Sequence, residues 1–108
     1  MLRELLRENL EALLLTISKI AYAFDFLEGS KASREDIEEI KRLVHSLKGN
    51  LMLLGLKDDA ENAIKLEEVI FSYLEAVQIE EITLSKTTIN EWFKLLNEIE
   101  FSLKAYMF

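Results

Sequence analysis

The amino-acid sequence predicts an all-α fold, an antiparallel up-down four-helix bundle with room for a short extra helix or extension at a terminus. The 108 residues include no proline and only three glycines, so few positions force a helix to break. Apolar residues recur at alternating spacings of three and four along four segments, which is the pattern of one buried helix face. The connections between these segments are short, and short connections favour antiparallel neighbours. Because neither a repeat nor a linker interrupts the chain, we expect residues 1–108 to form a single domain.

The first helix is predicted from Leu2 to Glu28. Gly29 follows as its expected C-terminal cap, since glycine adopts the left-handed conformation of that position at little cost. Its apolar stripe comprises Leu6, Leu10, Leu13, Ile17, Ile20, Phe24 and Leu27.

The second helix is predicted to start at Ser33, because Asp36 follows three residues later in a near capping box. Gly55 is expected to end this helix. Its apolar stripe comprises Ile37, Ile40, Val44, Leu47, Leu51 and Leu54.

The third helix is predicted to start at Asp58, with Asp59 and Glu61 adding negative charge near its N-terminus. Its apolar stripe comprises Ala63, Leu66, Ile70, Leu74 and Val77.

A polar stretch from Glu80 to Ser85 is expected to connect the third helix to the fourth. The apolar stripe of the fourth helix comprises Ile89, Trp92, Phe93, Leu96, Ile99 and Leu103. Trp92, Tyr73 on the third helix and the phenylalanines recur at core spacing, so we expect these aromatic rings to pack inside the bundle.

Composition argues against several classes of function. The formal net charge of −7 disfavours nucleic acid and anionic lipid as partners. With no cysteine and one histidine, the chain lacks the ligands of a zinc or di-iron site, so we expect no metal site. No apolar run of about 20 residues is present to span a bilayer, and Glu4 lies too early for a signal peptide. We therefore expect a cytoplasmic protein without membrane insertion.

The one histidine, His45, lies in the second helix within the stretch His45-Ser46-Leu47-Lys48-Gly49. At about 100° per residue it falls roughly 130° from the centre of the apolar stripe, so its ring is expected to face solvent or a helix edge. The glycine is expected to relieve crowding beside the ring. A cation and a clearing beside an exposed imidazole suit a ring that accepts a phosphoryl group; a plain surface histidine beside a surface lysine is the alternative.

Apolar and basic residues share the predicted side of His45 and suggest a surface that docks a partner. The residues of this predicted surface are Lys41, Gly49, Met52 and, if the helix extends that far, Leu56. The alternative is that single exposed apolar side chains are ordinary and need no partner.

Glu67 on the third helix is predicted to lie near the edge of the bundle. If the second and third helices pack antiparallel, its carboxylate could accept a hydrogen bond from Nδ1–H of His45 and leave Nε2 free as a nucleophile. The alternative is a solvated carboxylate beside Glu68.

The stretch from His45 to Gly55 resembles the H-x-x-K-G-x-x-x-x-x-G signature of histidine phosphotransfer (HPt) domains. The resemblance is closest to the N-terminal phosphotransfer domain of the chemotaxis histidine kinase CheA. In that family a third helix carries a His-x-Leu-Glu element, and Ile64-Lys65-Leu66-Glu67 occupies the corresponding place.

The resemblance implies a role for each matching residue. His45 would be the phosphoryl acceptor, modified on Nε2, and Lys48 would offset the charge of the phosphate. Glu67 would bond the other ring nitrogen, and Gly49 would open the face to a partner. The chain departs from the pattern in having Ile64 in place of the family's histidine and Leu51 where a small residue is common.

The resemblance also implies partners, namely a histidine kinase catalytic domain as donor and the receiver domain of a response regulator as acceptor. The chain has no glycine-rich phosphate loop, so ATP and Mg²⁺ are expected on the partner domains. If the chain is CheA-like, it is the substrate domain of a kinase and monomeric as an isolated domain. The alternatives are a stand-alone phosphorelay module and a degenerate bundle that acts only as an adaptor or dimerisation unit.

Overall fold

The computed structural model describes residues 2–27, 31–76 and 81–106, and their side chains over 7–27, 33–73 and 84–106. These residues form four helices and one pair of three-residue strands. The elements in chain order are α1 (Leu2–Leu27), β1 (Lys31–Ser33), α2 (Arg34–Leu53), α3 (Lys57–Ala76), β2 (Glu81–Thr83) and α4 (Lys86–Ala105). Each helix packs against its neighbours in sequence, and α1 also packs against α4, which closes the predicted all-α four-helix bundle.

A single apolar core runs along the axis of the bundle. The predicted stripe residues that are buried in it are Leu10, Leu13, Ile17, Ile20, Phe24, Leu27, Ile37, Ile40, Val44, Leu47, Leu51, Ala63, Leu66, Ile70, Ile89, Trp92, Leu96, Ile99 and Leu103. Leu54 and Phe93 are half-buried against it. Three further predicted stripe residues, Leu6, Leu74 and Val77, lie outside the described side chains, and the predicted cap Gly29 lies outside the described residues.

The rings of Trp92 and Phe24 lie in the core and Tyr73 packs against it, as predicted. The same prediction was wrong for Phe26, Phe71 and Phe101, which are exposed because they lie off the apolar stripes of their helices. The centroid of the Trp92 ring lies 5.5 Å from that of Phe24 and 5.9 Å from that of Tyr73. Tilted and edge-on arrangements at these distances are the favourable ones for aromatic pairs.

The start of α2 has the predicted capping box. Ser33 is the N-cap: its Oγ accepts a hydrogen bond from the Asp36 backbone N–H at 3.1 Å, and the Asp36 carboxylate accepts one from the Ser33 backbone N–H at 3.1 Å. The two bonds satisfy donors that the first helical turn leaves unpaired.

The predicted turn at Gly55 ends α2 in a Schellman motif. Gly55 has φ +76°, its N–H donates to Met52 O at 3.0 Å, and the N–H of Leu56 donates to Leu51 O at 3.0 Å. This conformation is costly for a residue with a Cβ, which explains the glycine.

The third helix begins one residue earlier than predicted, at Lys57 instead of Asp58. The carbonyl of Leu56 already accepts the first helical hydrogen bond, from Ala60 N at 2.9 Å, because the turn that ends α2 leads directly into α3. Asp59, predicted only as an acid of the first turn, is 3% exposed. Burial raises the pKa of Asp59, a hydrogen bond with Ser102 on α4 lowers it less, and nearby Asp58 adds to the rise.

The strand pair was not predicted. Within the connection predicted as a polar stretch, β2 pairs antiparallel with β1, with Lys31 opposite Thr83 and Ser33 opposite Glu81. The pairing joins the link between α1 and α2 to the link between α3 and α4 at one end of the bundle. Such a contact depends on tertiary packing that brings the two links together, and three-residue segments carry little local signal for it.

Within the described residues, no helix has the length and apolar character needed to cross a membrane.

Candidate functional site

His45 lies in α2 at the edge that faces α3, and 67% of its side chain is exposed. The core-facing residues on either side of it, Val44 and Leu47, are fully buried. These anchors fix the rotation of α2 and turn the imidazole out of the core, where the helical geometry predicts it.

Glu67 reaches His45 from α3, as predicted for antiparallel neighbours. Its Oε2 lies 2.7 Å from Nδ1 of His45, and its Oε1 accepts a hydrogen bond from Nζ of Lys48 at 2.9 Å. The Glu67 side chain is only 16% exposed, and both of its oxygens have a hydrogen-bond partner in this partly shielded position. One carboxylate from α3 therefore holds two side chains that are one turn apart on α2.

The ionisation of Glu67 determines which tautomer a neutral His45 adopts. Burial raises the pKa of Glu67, but hydrogen bonds from Lys48 and His45 outweigh burial and bring the pKa below its ordinary value. Glu67 is therefore an ionised carboxylate at neutral pH and can only accept hydrogen bonds. A neutral His45 must then carry its proton on Nδ1, which leaves the lone pair of Nε2 available at the exposed edge of the ring.

Lys48 occupies a different position from the one expected for a free phosphate-binding cation. Its side chain is 20% exposed, and its ammonium is paired with Glu67. In the unphosphorylated protein the charge of Lys48 therefore neutralises the carboxylate that orients His45.

Gly49 provides open space, but not in the way predicted. A Cβ at this position would have no atom within 4 Å, so an alanine there would not crowd the His45 ring. Glycine in a helix interior costs about 1 kcal/mol relative to alanine, and packing within this chain does not require it here. The clearing is on the outer surface of α2, where a second molecule could approach.

The other residues of the predicted docking surface are placed unequally. Lys41 is half-buried, with Nζ 4.0 Å from the centroid of the Phe71 ring, and Met52 is 59% exposed. Leu56 is not on this surface: α2 ends at Leu53, and the Leu56 side chain packs against the core beyond the turn. Leu56 was predicted to lie on this surface only if the helix extended that far, and that condition is not met because the turn at Gly55 ends α2 first.

The two departures from the family pattern take no part in the hydrogen bonds of His45, Glu67 and Lys48. Leu51 is fully buried and belongs to the core stripe of α2, on the side of the helix opposite to solvent. Ile64 is half-buried on α3 and offers no polar atom to the triad. Neither residue interrupts the contacts among His45, Glu67 and Lys48.

A groove between α2 and α3, which we call the α2–α3 groove, extends from His45 toward the start of α2. Its lining residues are Arg34, Glu38, Lys41, Arg42, His45, Glu67 and Phe71. Phe71 was missed by the sequence analysis, although it follows Glu67 by four residues and therefore shares its face of α3. Arg34 and Arg42 were missed as well; both form ion pairs with acids of α2, Arg34 with Glu38 at 3.4 Å and Arg42 with Glu39.

Metal chemistry has no ligand set in the described part of the chain, where no group of three or more His, Cys, Asp or Glu side chains could hold an ion. What the arrangement provides is an exposed nucleophilic nitrogen with a fixed tautomer.

Comparison with known proteins identifies the family. The sequence model of the Hpt domain family matches residues 1–100 of the chain. Neither a curated protein nor a solved structure matches it. The family match spans nearly the whole chain and includes the helix with the exposed His45 and the helix with Glu67, so the chain belongs to the Hpt family, the histidine phosphotransfer domains of phosphorelay signalling.

Proposed function

We propose that this chain is the phosphotransfer domain of a CheA-like chemotaxis kinase. His45 accepts a phosphoryl group from the kinase catalytic domain and passes it to an aspartate of a response regulator. The observation that carries the proposal is the exposed His45 ring with Nδ1 held 2.7 Å from Glu67. The CheA-like assignment is supported by the H-x-x-K-G-x-x-x-x-x-G signature and by Leu66-Glu67 on the third helix.

The chemistry needs no proton to leave Nε2. Its lone pair attacks the γ-phosphorus of ATP, the new P–N bond forms, and the P–O bond to ADP breaks in line. The ring becomes a cation that keeps its Nδ1 proton, and the Glu67 carboxylate stabilises that charge. In the second transfer an aspartate oxygen attacks the phosphorus, the P–N bond breaks, and its electron pair returns to Nε2.

The roles of the neighbouring residues follow from their contacts. Glu67 orients and activates the ring of His45, and Lys48 keeps that carboxylate ionised. Gly49, Met52 and Lys41 form the surface on which the partner domains dock, since each lies on the open side of α2 near the ring. Leu56, which packs against the core, has no part in this surface.

ATP and Mg²⁺ act on the partner domains in this proposal, because the sequence contains no glycine-rich phosphate loop. The domain works in the cytoplasm, where ATP and receiver domains meet, and it is a monomer when isolated.

Phosphoryl transfer to the purified chain tests the proposal. The chain would be incubated with ATP, Mg²⁺ and a CheA-type catalytic core, and acid-labile, base-stable label would be mapped by mass spectrometry. We expect label on His45 and none on a His45→Gln variant with the same helical circular dichroism.

Two further outcomes are informative. Label from a phosphorylated receiver domain but not from the kinase core would assign the chain to a stand-alone phosphorelay. Absence of label from either donor, with a competent control domain, would overturn the proposal in favour of an adaptor bundle.

A further inference from the structure

We propose that Lys41, held over the ring of Phe71, is the cation that meets the phosphoryl group on His45, while Lys48 serves the carboxylate of Glu67. The inference deepens the proposed function and rests on it. It assigns the two lysines on the face of His45 to two different anions.

Lys48 is engaged before any phosphoryl group arrives. Its ammonium donates to Glu67 at 2.9 Å, and both side chains are largely shielded from water. If Lys48 turned to a phosphate, one oxygen of a partly buried carboxylate would lose its partner, and an unpaired shielded charge is unfavourable. The contact that lowers the pKa of Glu67 would be lost as well.

Lys41 is positioned to bind the phosphoryl group in place of Lys48. It precedes His45 by four residues, so the two side chains are neighbours on one face of α2. Both residues line the α2–α3 groove. Within the described residues Lys41 has no carboxylate partner, whereas the groove's arginines, Arg34 and Arg42, are each paired with an acid.

Phe71 gives this lysine a defined position. The ammonium lies 4.0 Å from the ring centroid, within the range of a cation–π contact. An aromatic face holds the charge without neutralising it, and it restricts the rotamers of a long side chain in advance. A phosphoryl group on His45 would therefore be near the Lys41 ammonium, which Phe71 holds in place and which is not already paired with a carboxylate.

The orientation of the His45 ring is consistent with Lys48 pairing with Glu67 and Lys41 pairing with the phosphoryl group. Glu67 occupies the Nδ1 edge of the ring, so a phosphoryl group on Nε2 lies at the opposite edge. A group bearing nearly two negative charges then has Glu67 behind it and Glu68 along the groove. An unpaired cation on the same face offsets both acids.

Phosphorus NMR on chemically phosphorylated protein tests the inference independently of any kinase. The intact chain would be treated with phosphoramidate, a small-molecule phosphoryl donor, and the ³¹P shift of phosphohistidine would be titrated against pH. The variants are Lys41→Met, which keeps the apolar stem, and Lys41→Arg, which keeps the charge. The matched control is Lys65→Met, which removes an exposed charge two residues before Glu67 on α3.

A nearby cation favours the dianionic phosphoryl group. Lys41→Met is therefore expected to raise the pKa of that group by about half a unit and to slow its formation about fivefold. Lys41→Arg should restore both quantities, and Lys65→Met should leave both unchanged. Phe71→Leu should give a partial effect, because the charge remains but its support is lost.

The inference is overturned if Lys41→Met titrates like the wild type, or if Lys48→Met raises the phosphoryl pKa more than Lys41→Met does. Either result leaves phosphate uptake by His45 intact, so the proposed function survives it. A wild-type chain that takes no phosphoryl group on His45 from phosphoramidate overturns both.

Discussion

The two oxygens of the Glu67 carboxylate contact two different side chains. Oε2 fixes the tautomer of His45, and Oε1 holds Lys48. Groups that orient a reactive imidazole through its second nitrogen commonly contribute one to two orders of magnitude to function. The reactivity of His45 therefore depends on a residue of the neighbouring helix as well as on its own.

The variant Glu67→Gln should slow phosphorylation of His45 by about tenfold to a hundredfold, because the amide keeps the shape but not the charge that stabilises the cationic ring. Initial rates with a kinase core measure this effect. Glu61→Gln, at an exposed position of α3 that does not line the α2–α3 groove, is the matched control and should retain the wild-type rate.

The same variant has a signature in stability. The pKa of Glu67 is lower in the folded state than its ordinary value of 4.5, so its pairing contributes stability above about pH 4.5 that disappears as the pH falls through the folded-state pKa. Urea denaturation of wild type and Glu67→Gln should therefore differ most near neutral pH, and the difference should shrink in acid. If wild type and Glu67→Gln are phosphorylated on His45 at equal rates at neutral pH, Glu67 has no part in the mechanism.

At the scale of the element, Gly49 inside α2 and Gly55 just after its end serve opposite purposes. Gly55 has φ +76° and is needed by the turn that ends the helix, whereas Gly49 is helical and has open space around its Cα. The first glycine is a requirement of the fold. The second lowers the helix propensity beside the ring, and in the proposed function it leaves room for the approach of a partner.

The same substitution at the two positions should therefore have opposite effects. Gly49→Ala is expected to raise the free energy of unfolding by up to about 1 kcal/mol, and Gly55→Ala to lower it by about 1 to 2 kcal/mol. Urea denaturation followed by circular dichroism measures both changes. Gly49→Ala should also slow transfer from the kinase core, although it touches no residue of the triad.

Asn50→Ala is the control for this loss, since Asn50 is exposed on α2 but turned away from His45 by about 140°. It should stabilise the helix slightly and leave the transfer rate unchanged. Equal transfer rates for Gly49→Ala and wild type would show that no partner uses the clearing.

Periodicity was sufficient to predict the helices because each one buries a continuous stripe against a single core. For Glu67 it was not sufficient: the stripes placed this carboxylate near the edge of the bundle but left open a solvated side chain beside Glu68, and the resemblance to HPt domains was needed to favour the contact with His45. Periodicity did not predict the contact of Lys41 with Phe71, because an aromatic residue at the edge of a stripe reads as one more core residue. The burial of Asp59 was also missed, because it depends on how closely α4 packs against the start of α3.

At the scale of the whole molecule, the position of every functional group depends on one core centred on Trp92. This side chain is fully buried between rings of α1 and α3. Its Nε1–H has no hydrogen-bond acceptor within the described residues, so the ring is retained for its packing and not for its polar atom.

Trp92→Ala should lower the free energy of unfolding by about 3 to 5 kcal/mol, a large share of the roughly 5 to 15 kcal/mol that holds a domain of this size together. Trp92→Phe should cost much less, because it leaves a smaller cavity and removes an unpaired buried N–H. Urea denaturation monitored by circular dichroism compares the two variants. A Phe variant as unstable as the Ala variant would mean that Nε1 makes a contact essential to the fold.

The two-thirds exposure of the His45 side chain also imposes a time limit on the signal. Enzymes that protect a reactive intermediate close over it and exclude water. The open edge of α2 cannot do so, and a phosphohistidine formed there is within reach of hydrolysis from the moment it appears. In the proposed function, the phosphoryl group on His45 must therefore reach a receiver domain before water hydrolyses it, and hydrolysis limits how long the signal persists.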